Sequence, residues 1–236
     1  MRVIGVIGPK KSGKTTLICD ILKELKKKGI DVATIKHSSH NVEMDREGTD
    51  SYMFKKYSNA TVLSTDTKTA FFYDGLDLYD ILSKLDNEIV IIEGFKEQLK
   101  ELNIPKILMV KGDDGLELGD SQTIMAIKDY KYNIDEVVKK VLEKSVMPSF
   151  NLNCGHCGYN CKLFVEEVID GNIEWNQCVL SKGVKLVVNG KTIPMNPFVS
   201  NIIKNTLKAI VSSLKGAENP KSISIKIEDI ENTENI

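Results

Sequence analysis

The chain has 236 residues, 42% of them hydrophobic, with 32 basic and 33 acidic side chains and a formal net charge of −1. That length suits one large domain, or a domain of about 150 residues with a smaller companion, and the apolar fraction argues against global disorder. A balanced charge leaves no general basic field to hold nucleic acid or an anionic membrane, so neither is expected as a partner.

The opening run MRVIGVIGPKK is too short for a signal-peptide core, and no stretch approaches the ~20 apolar residues of a bilayer span. A cytoplasmic protein is therefore expected. RVIGVI, residues 2–7, reads as a strand, followed by a glycine-rich turn and a helix in which Leu17, Ile21, Leu22 and Leu25 recur at helical spacing before Gly29. Cys19 falls on this helix and is expected to be a buried core thiol. DVATI at 31–35 is a second strand, which makes a β-α-β unit and a parallel sheet. Residues 37–49 are polar and loop-like, and 50–58 suit a helix. Short strands are expected at 60–64 and 69–73, a helix at 77–85, buried strands at 88–92 and 105–110, a short strand at 124–127 and an amphipathic helix at 133–144. The alternation implies an α/β domain of the P-loop NTPase kind, a mostly parallel sheet with helices on both faces, over residues 1–147. Pro148-Ser149 marks the expected boundary. Residues 148–236 would form a small α+β domain. It would hold a cysteine segment at 151–180, a hairpin turning at Asn189-Gly190 in a type I′ turn, a helix at 198–214 with Phe198, Ile202, Leu207, Ile210 and Leu214 as apolar positions, and a last strand, SISIKI.

The turn after the first strand, Gly8-Pro9-Lys10-Lys11-Ser12-Gly13-Lys14-Thr15, fits G-x-x-x-x-G-K-[ST] at every fixed position, and Thr16 continues it into the helix. Glycines let successive backbone N–H groups face one concavity, and the helix N-terminus adds partial positive charge, which together bind phosphate. Lys14 should reach the terminal phosphates and the Thr15 hydroxyl should ligate Mg²⁺. Lys10 and Lys11 add local charge or are simply solvated. A second acid is needed at a strand end. Glu93, after EIVII and before Gly94, would hold Mg²⁺ through water or position the attacking water; otherwise it is an ordinary strand-end glutamate. His37, His40, Asp45 and Asp50 follow the second strand and would face the phosphates at the C-terminal edge of the sheet, there to bind an oxyanion, a second metal or a partner cofactor. The alternative is a polar surface loop. Lys111 and Asp113 keep the K-x-D part of the guanine-reading N-K-x-D signature, with Val110 in place of its asparagine. Guanine recognition and a chance charged turn both remain open.

Four cysteines, Cys154, Cys157, Cys161 and Cys178, follow the spacing C-x2-C-x3-C-x16-C. In a reducing cytoplasm such clusters read as metal ligands rather than disulfides. Four thiolates suit a 4Fe-4S cluster, and they also suit tetrahedral Zn²⁺. Disulfide or unliganded thiols are the third reading, and His156 is a loop residue beside them, with metal ligation as its alternative.

GPKKSGKTTL, TIKHSSHNVEMDREGTDS and IIEGFK together resemble the MobB family of molybdopterin-guanine dinucleotide biosynthesis adapter proteins over about residues 1–145. The middle block is the specific one, fitting K-H-x-x-H then D-x-x-G-x-D-S through Lys36, His37, His40, Asp45, Gly48, Asp50 and Ser51. The resemblance implies a dimeric GTP-binding protein that assists the molybdopterin guanylyltransferase, with a molybdenum or tungsten apo-enzyme as another partner. Weak GTPase activity is expected, because the arginines, Arg2 and Arg46, are not placed like a finger. The usual family member ends near the α/β domain, whereas this chain runs on to residue 236. The segment CGHCGYNCKLFVEEVIDGNIEWNQC resembles a four-cysteine iron–sulfur module, with one residue fewer between its second and third cysteines. A small-molecule kinase and an iron–sulfur electron carrier or scaffold with a regulatory nucleotide site are the other readings.

Overall fold

The computed structural model describes residues 1–225 except 39, 41, 150, 183, 185, 189, 190, 194, 196 and 221. The chain forms two compact units, Met1–Gln177 and Cys178–Ile236.

The first unit is built on a five-stranded sheet. Its strands are β1 (Arg2–Ile7), β2 (Val32–Lys36), β5 (Ile89–Glu93), β6 (Lys106–Val110) and β7 (Thr123–Lys128), in the order β2-β5-β1-β6-β7. Every pairing in this sheet is parallel. Parallel strands covered on both faces are apolar without alternation, which is why RVIGVI and IVII read as continuous runs. Ile4 and Val6 point to one face. There they meet Leu17, Ile18, Ile21 and Leu25 of α1 (Lys14–Lys27) and Val137, Val138 and Val141 of α5 (Ile134–Lys144). Val3 and Ile7 point to the other, where Leu78 and Leu82 of α3 (Leu78–Ser83) and Leu99 of α4 (Lys96–Glu101) close the core. Helices thus cover both faces, as expected. The helix α4 was not legible in KEQLKE, whose one buried side chain, Leu99, gives no periodicity.

The strands at 60–64 and 69–73 form as expected, but as a separate antiparallel hairpin, β3 (Ala60–Ser64) with β4 (Thr69–Tyr73). The helix before it, α2, spans Asp50–Lys55. Cys19 is exposed, contrary to expectation, because α1 turns its buried face through Leu17, Ile18, Ile21 and Leu25 and leaves position 19 on the opposite side.

After α5 the chain does not leave the first unit. Val146 pairs with Val3 through N–H···O bonds of 2.8 and 3.3 Å, and Ser145 and Ser149 are buried. The helix α6 (Cys161–Asp170) buries Phe164, Val165 and Val168, and Lys144 Nζ donates to the Val168 carbonyl at 2.8 Å. Arg2 donates to the Leu142 carbonyl at 2.6 Å and lies 4.9 Å from the Trp175 ring. Pro148 and Ser149 are buried, and the division into compact units falls between Gln177 and Cys178.

In the second unit, β8 (Leu186–Val188) and β9 (Lys191–Ile193) pair antiparallel as the expected hairpin. Its turn, Asn189-Gly190, lies outside the described residues. The helix α7 spans Pro197–Ser212. Phe198, Ile202 and Ile210 on it are 73%, 50% and 55% exposed, so its apolar face is not a core face. Residues 222–225, the described part of the expected last strand, carry no strand.

Candidate functional site

The glycine-rich turn leaves β1 at Ile7 and enters α1 at Lys14. Gly8 sits at φ 149°, and a Cβ there would lie 2.4 Å from the Met109 carbonyl oxygen, so only glycine lets the turn cross so close to β6. Gly13 caps α1 with no side-chain hydrogen bond, and the first turn of α1 has no acidic residue. The N–H groups that begin a helix are thus left without a side-chain acceptor, an arrangement that favours an anion. Ser12 Oγ is buried with no hydrogen-bond partner among the described residues, which suits an external acceptor.

Lys14 Nζ donates to the carbonyls of Gly8, at 3.0 Å, and Pro9, at 2.6 Å. Its pKa is lowered, first by burial, then by the nearby Lys96 and Lys36 cations, while Glu93 opposes the shift. The parallel register sets Val6 of β1 beside Glu93 of β5. That pairing carries the Glu93 carboxylate to the glycine-rich turn, where Thr15 Oγ1 donates to its Oε2 at 3.2 Å. Lys36 Nζ stands 3.6 Å from the same oxygen. A hydroxyl and a carboxylate at this spacing are the hard oxygen donors that Mg²⁺ takes beside phosphates.

His40 is drawn to the turn, its Nε2 accepting from Lys10 Nζ at 2.9 Å. His37 donates its backbone N–H to the Glu93 carbonyl at 2.8 Å, and its ring packs 4.3 Å from that of Phe95. Asp45 accepts from the Arg46 N–H at 2.8 Å, and its Oδ2 is buried without a partner among the described residues. Asp50 begins α2. Among the described residues, no hydrogen bond or ion pair ties Asp45 or Asp50 to the phosphate turn. Lys111 and Asp114 exchange backbone hydrogen bonds of 3.1 and 3.0 Å in a tight turn, which reaches the phosphate loop where Gly115 packs beside Pro9. Asp113 is paired with Lys128 Nζ at 3.0 Å, and its side chain is 90% exposed. Lys11 has a left-handed backbone, at φ 58°.

Cys154, Cys157 and Cys161 lie in the first unit and Cys178 in the second, and all four are half-buried. Gly155 and Gly158 turn the loop at φ 71° and 85°. The donors fit iron or zinc chemically: they are thiols without competing disulfides, and the Asn153 N–H donates to Cys161 Sγ at 3.3 Å. Among the described residues, however, no three His, Cys, Asp or Glu side chains stand close enough to share one metal ion. His156 is exposed.

Sequence reasoning missed three residues. Lys96 acts on Lys14 across the site. The hydroxyl of Tyr130 donates to the Lys11 carbonyl, a contact between residues 119 apart that no local pattern reveals. Asn153 bonds to Cys161 at the base of the cysteine loop; its position directly before Cys154 was the available signal.

No described helix is long and apolar enough to cross a membrane. A family model described as "MobB: Molybdopterin guanine dinucleotide synthesis protein B" matches residues 3–129, and one described as "Putative Fe-S cluster" matches residues 151–180. The chain is 56% identical over 235 residues to a protein of Methanocaldococcus jannaschii named "Putative molybdopterin-guanine dinucleotide biosynthesis adapter protein", covering 97% of this chain and 98% of that one. It is 32% identical over 145 residues to the molybdopterin-guanine dinucleotide biosynthesis adapter protein of Haemophilus influenzae, covering 58% of this chain and 79% of that one. Among solved structures, the crystal structure of Bacillus subtilis MobB covers 60% of this chain and 98% of its own, at 23% identity and a TM-score of 0.49. On the family model and the relative that matches it from end to end, the chain belongs to the MobB family of molybdopterin guanine dinucleotide synthesis proteins.

Proposed function

We propose that this chain is a GTP-binding adapter with weak GTPase activity in molybdopterin guanine dinucleotide biosynthesis. The observation that carries the reading is the meeting of Lys14, Thr15 and Glu93 at the uncapped start of α1. The triphosphate lies along the turn from Gly8 to Thr16. Its oxygens take the N–H groups of the turn and the Ser12 hydroxyl. The Lys14 ammonium exchanges the carbonyls of Gly8 and Pro9 for phosphate oxygens. Thr15 and Glu93 would hold Mg²⁺, which would supply charge neutralisation for the phosphates. Lys111 covers the base and Asp113 pairs with the guanine edge on releasing Lys128.

Phosphoryl transfer depends on cations that spread the transition-state charge. Arg2 is bound at the far end of β1, to Leu142 and Trp175. A slow reaction accelerated by a partner follows, the partner being the guanylyltransferase or a molybdenum or tungsten apo-enzyme. Exposed Phe54 on α2, Tyr57 just after it, and Val62 and Phe71 on the β3–β4 hairpin support a homodimer.

The cysteine segment would hold a 4Fe-4S cluster, with Zn²⁺ as the alternative, and functionally the chain divides into 1–147 and 148–236. Its anchor in the first unit, the Val3–Val146 bridge, is at the start of β1, whereas the phosphate turn is at its end. Five residues of strand separate them, about 17 Å at ~3.3 Å per residue. The cluster would serve a partner or a redox signal.

The test is equilibrium titration of GTP and Mg²⁺ into the wild type and Lys14→Ala. Loss of one charge-assisted contact, about 1.5–3 kcal/mol, weakens binding by roughly 10- to 150-fold. Equal affinity in the two proteins would remove the phosphate-binding role.

A further inference from the structure

The loop that carries three of the cysteines is closed at its base by a single residue. Asn153 has a left-handed backbone at φ 44°, which asparagine tolerates better than most side chains. In this conformation both of its polar ends reach Cys161. Its Oδ1 accepts from the Cys161 N–H at 2.8 Å, and its own N–H donates to Cys161 Sγ at 3.3 Å.

Cys161 is the first residue of α6, so its N–H is among the donors that a helix cannot pair internally. Asn160 satisfies another such donor, the N–H of Leu163, at 2.8 Å. Two asparagines thus share the start of one helix. Asn160 is an ordinary N-cap. Asn153 comes from eight residues upstream, and by capping the helix it also fixes where the Cys161 sulfur sits. Asn153 is covalently next to Cys154. The contact therefore joins the first and third cysteines of the loop, while Gly155 and Gly158 supply the turns between them.

We propose that Asn153 is the positioning residue of the cysteine site, clasping Cys161 so that its sulfur is already fixed against the backbone next to Cys154 when a thiophilic metal arrives. The proposal rests on the reading of the four cysteines as metal ligands. Outer partners that orient a ligand typically change metal affinity by about 10- to 100-fold when removed.

The experiment uses the full chain, prepared metal-free under anaerobic conditions and titrated with Co²⁺, whose thiolate charge-transfer absorption reports sulfur ligation directly. Asn153→Gly keeps the positive φ without strain but removes the acceptor. It should bind Co²⁺ about 10- to 100-fold more weakly, with reduced charge-transfer intensity. Asn153→Asp keeps the acceptor and should stay within about threefold of the wild type. Amide exchange reads the clasp itself: the Cys161 N–H should exchange about 2- to 10-fold faster in Asn153→Gly than in the wild type or Asn153→Asp. A wild type that shows no thiolate-to-cobalt band defeats the ligand reading and the proposal with it. A wild type that binds Co²⁺ while Asn153→Gly binds equally well, or while Asn153→Asp is as weak as glycine, overturns the positioning role alone. So does an unprotected Cys161 N–H in the wild type, which needs no variant to fold.

Discussion

Replacing Gly13 with alanine tests how the phosphate turn is held open. Gly13 sits at φ 85°, and an added Cβ would lie 2.1 Å from Cε1 and 2.3 Å from Cδ1 of Tyr130. Two costs follow. A left-handed conformation costs an alanine about 1–2 kcal/mol. The contact with Tyr130 cannot persist, and since that ring is 48% exposed it can swing into solvent. Swinging breaks the hydrogen bond from its hydroxyl to the Lys11 carbonyl, worth about 0.5–1.5 kcal/mol. The sum is about 1.5–3.5 kcal/mol of stability. The single tryptophan, Trp175, lies in the first unit beneath Arg2, so its fluorescence during urea unfolding reports the unit that contains the turn. In a Tyr130→Ala background the side-chain part of the loss is already gone, and Gly13→Ala should then cost only the backbone part. The cycle should show a coupling of about 1 kcal/mol. A loss below about 0.5 kcal/mol in the wild-type background, or the same loss in both, would refute the account.

Glu93→Gln keeps the shape of the side chain but removes the charge facing Thr15, and it should slow Mg²⁺-dependent hydrolysis more than it weakens nucleotide binding; comparing turnover with a binding titration checks this. Anaerobically purified protein should carry about four irons and four sulfides per chain. Cys178→Ser should lower that content, whereas Cys19→Ser, an exposed thiol outside the spacing, should leave it unchanged by iron and sulfide analysis. The Tyr132 phenol is pushed up to about 12 by burial, helped by its 2.8 Å hydrogen bond to Asp20. Because the folded chain holds the neutral phenol more tightly than the unfolded one, this stability is complete below pH ~10 and is lost as pH rises towards ~12. Melting temperatures followed through Trp175 should fall over that range, and less steeply in Tyr132→Phe.

The features legible in the sequence are those whose cause is local. The phosphate turn is one contiguous run between a strand and a helix, and its glycines answer to backbone conformation at their own positions. The strands of the sheet could be read because both faces of a parallel sheet are buried, which leaves an unbroken apolar run. The cysteine spacing was likewise visible as spacing. Tertiary structure decided whatever depends on which segments lie side by side. Glu93 meets Thr15 across 78 positions of chain because β5 pairs with β1 in one register, and a single-residue slip would turn that side chain to the other face of the sheet. Tyr130 reaches Lys11 for the same kind of reason. Pro148-Ser149 reads in the sequence as a boundary, whereas the pairing of Val146 with Val3 and the inclusion of residues 147–177 in the first compact unit depend on tertiary contacts. The spacing of α7 predicted its helix but not a partner for its apolar face, since periodicity fixes which residues share a face and only packing determines what that face meets.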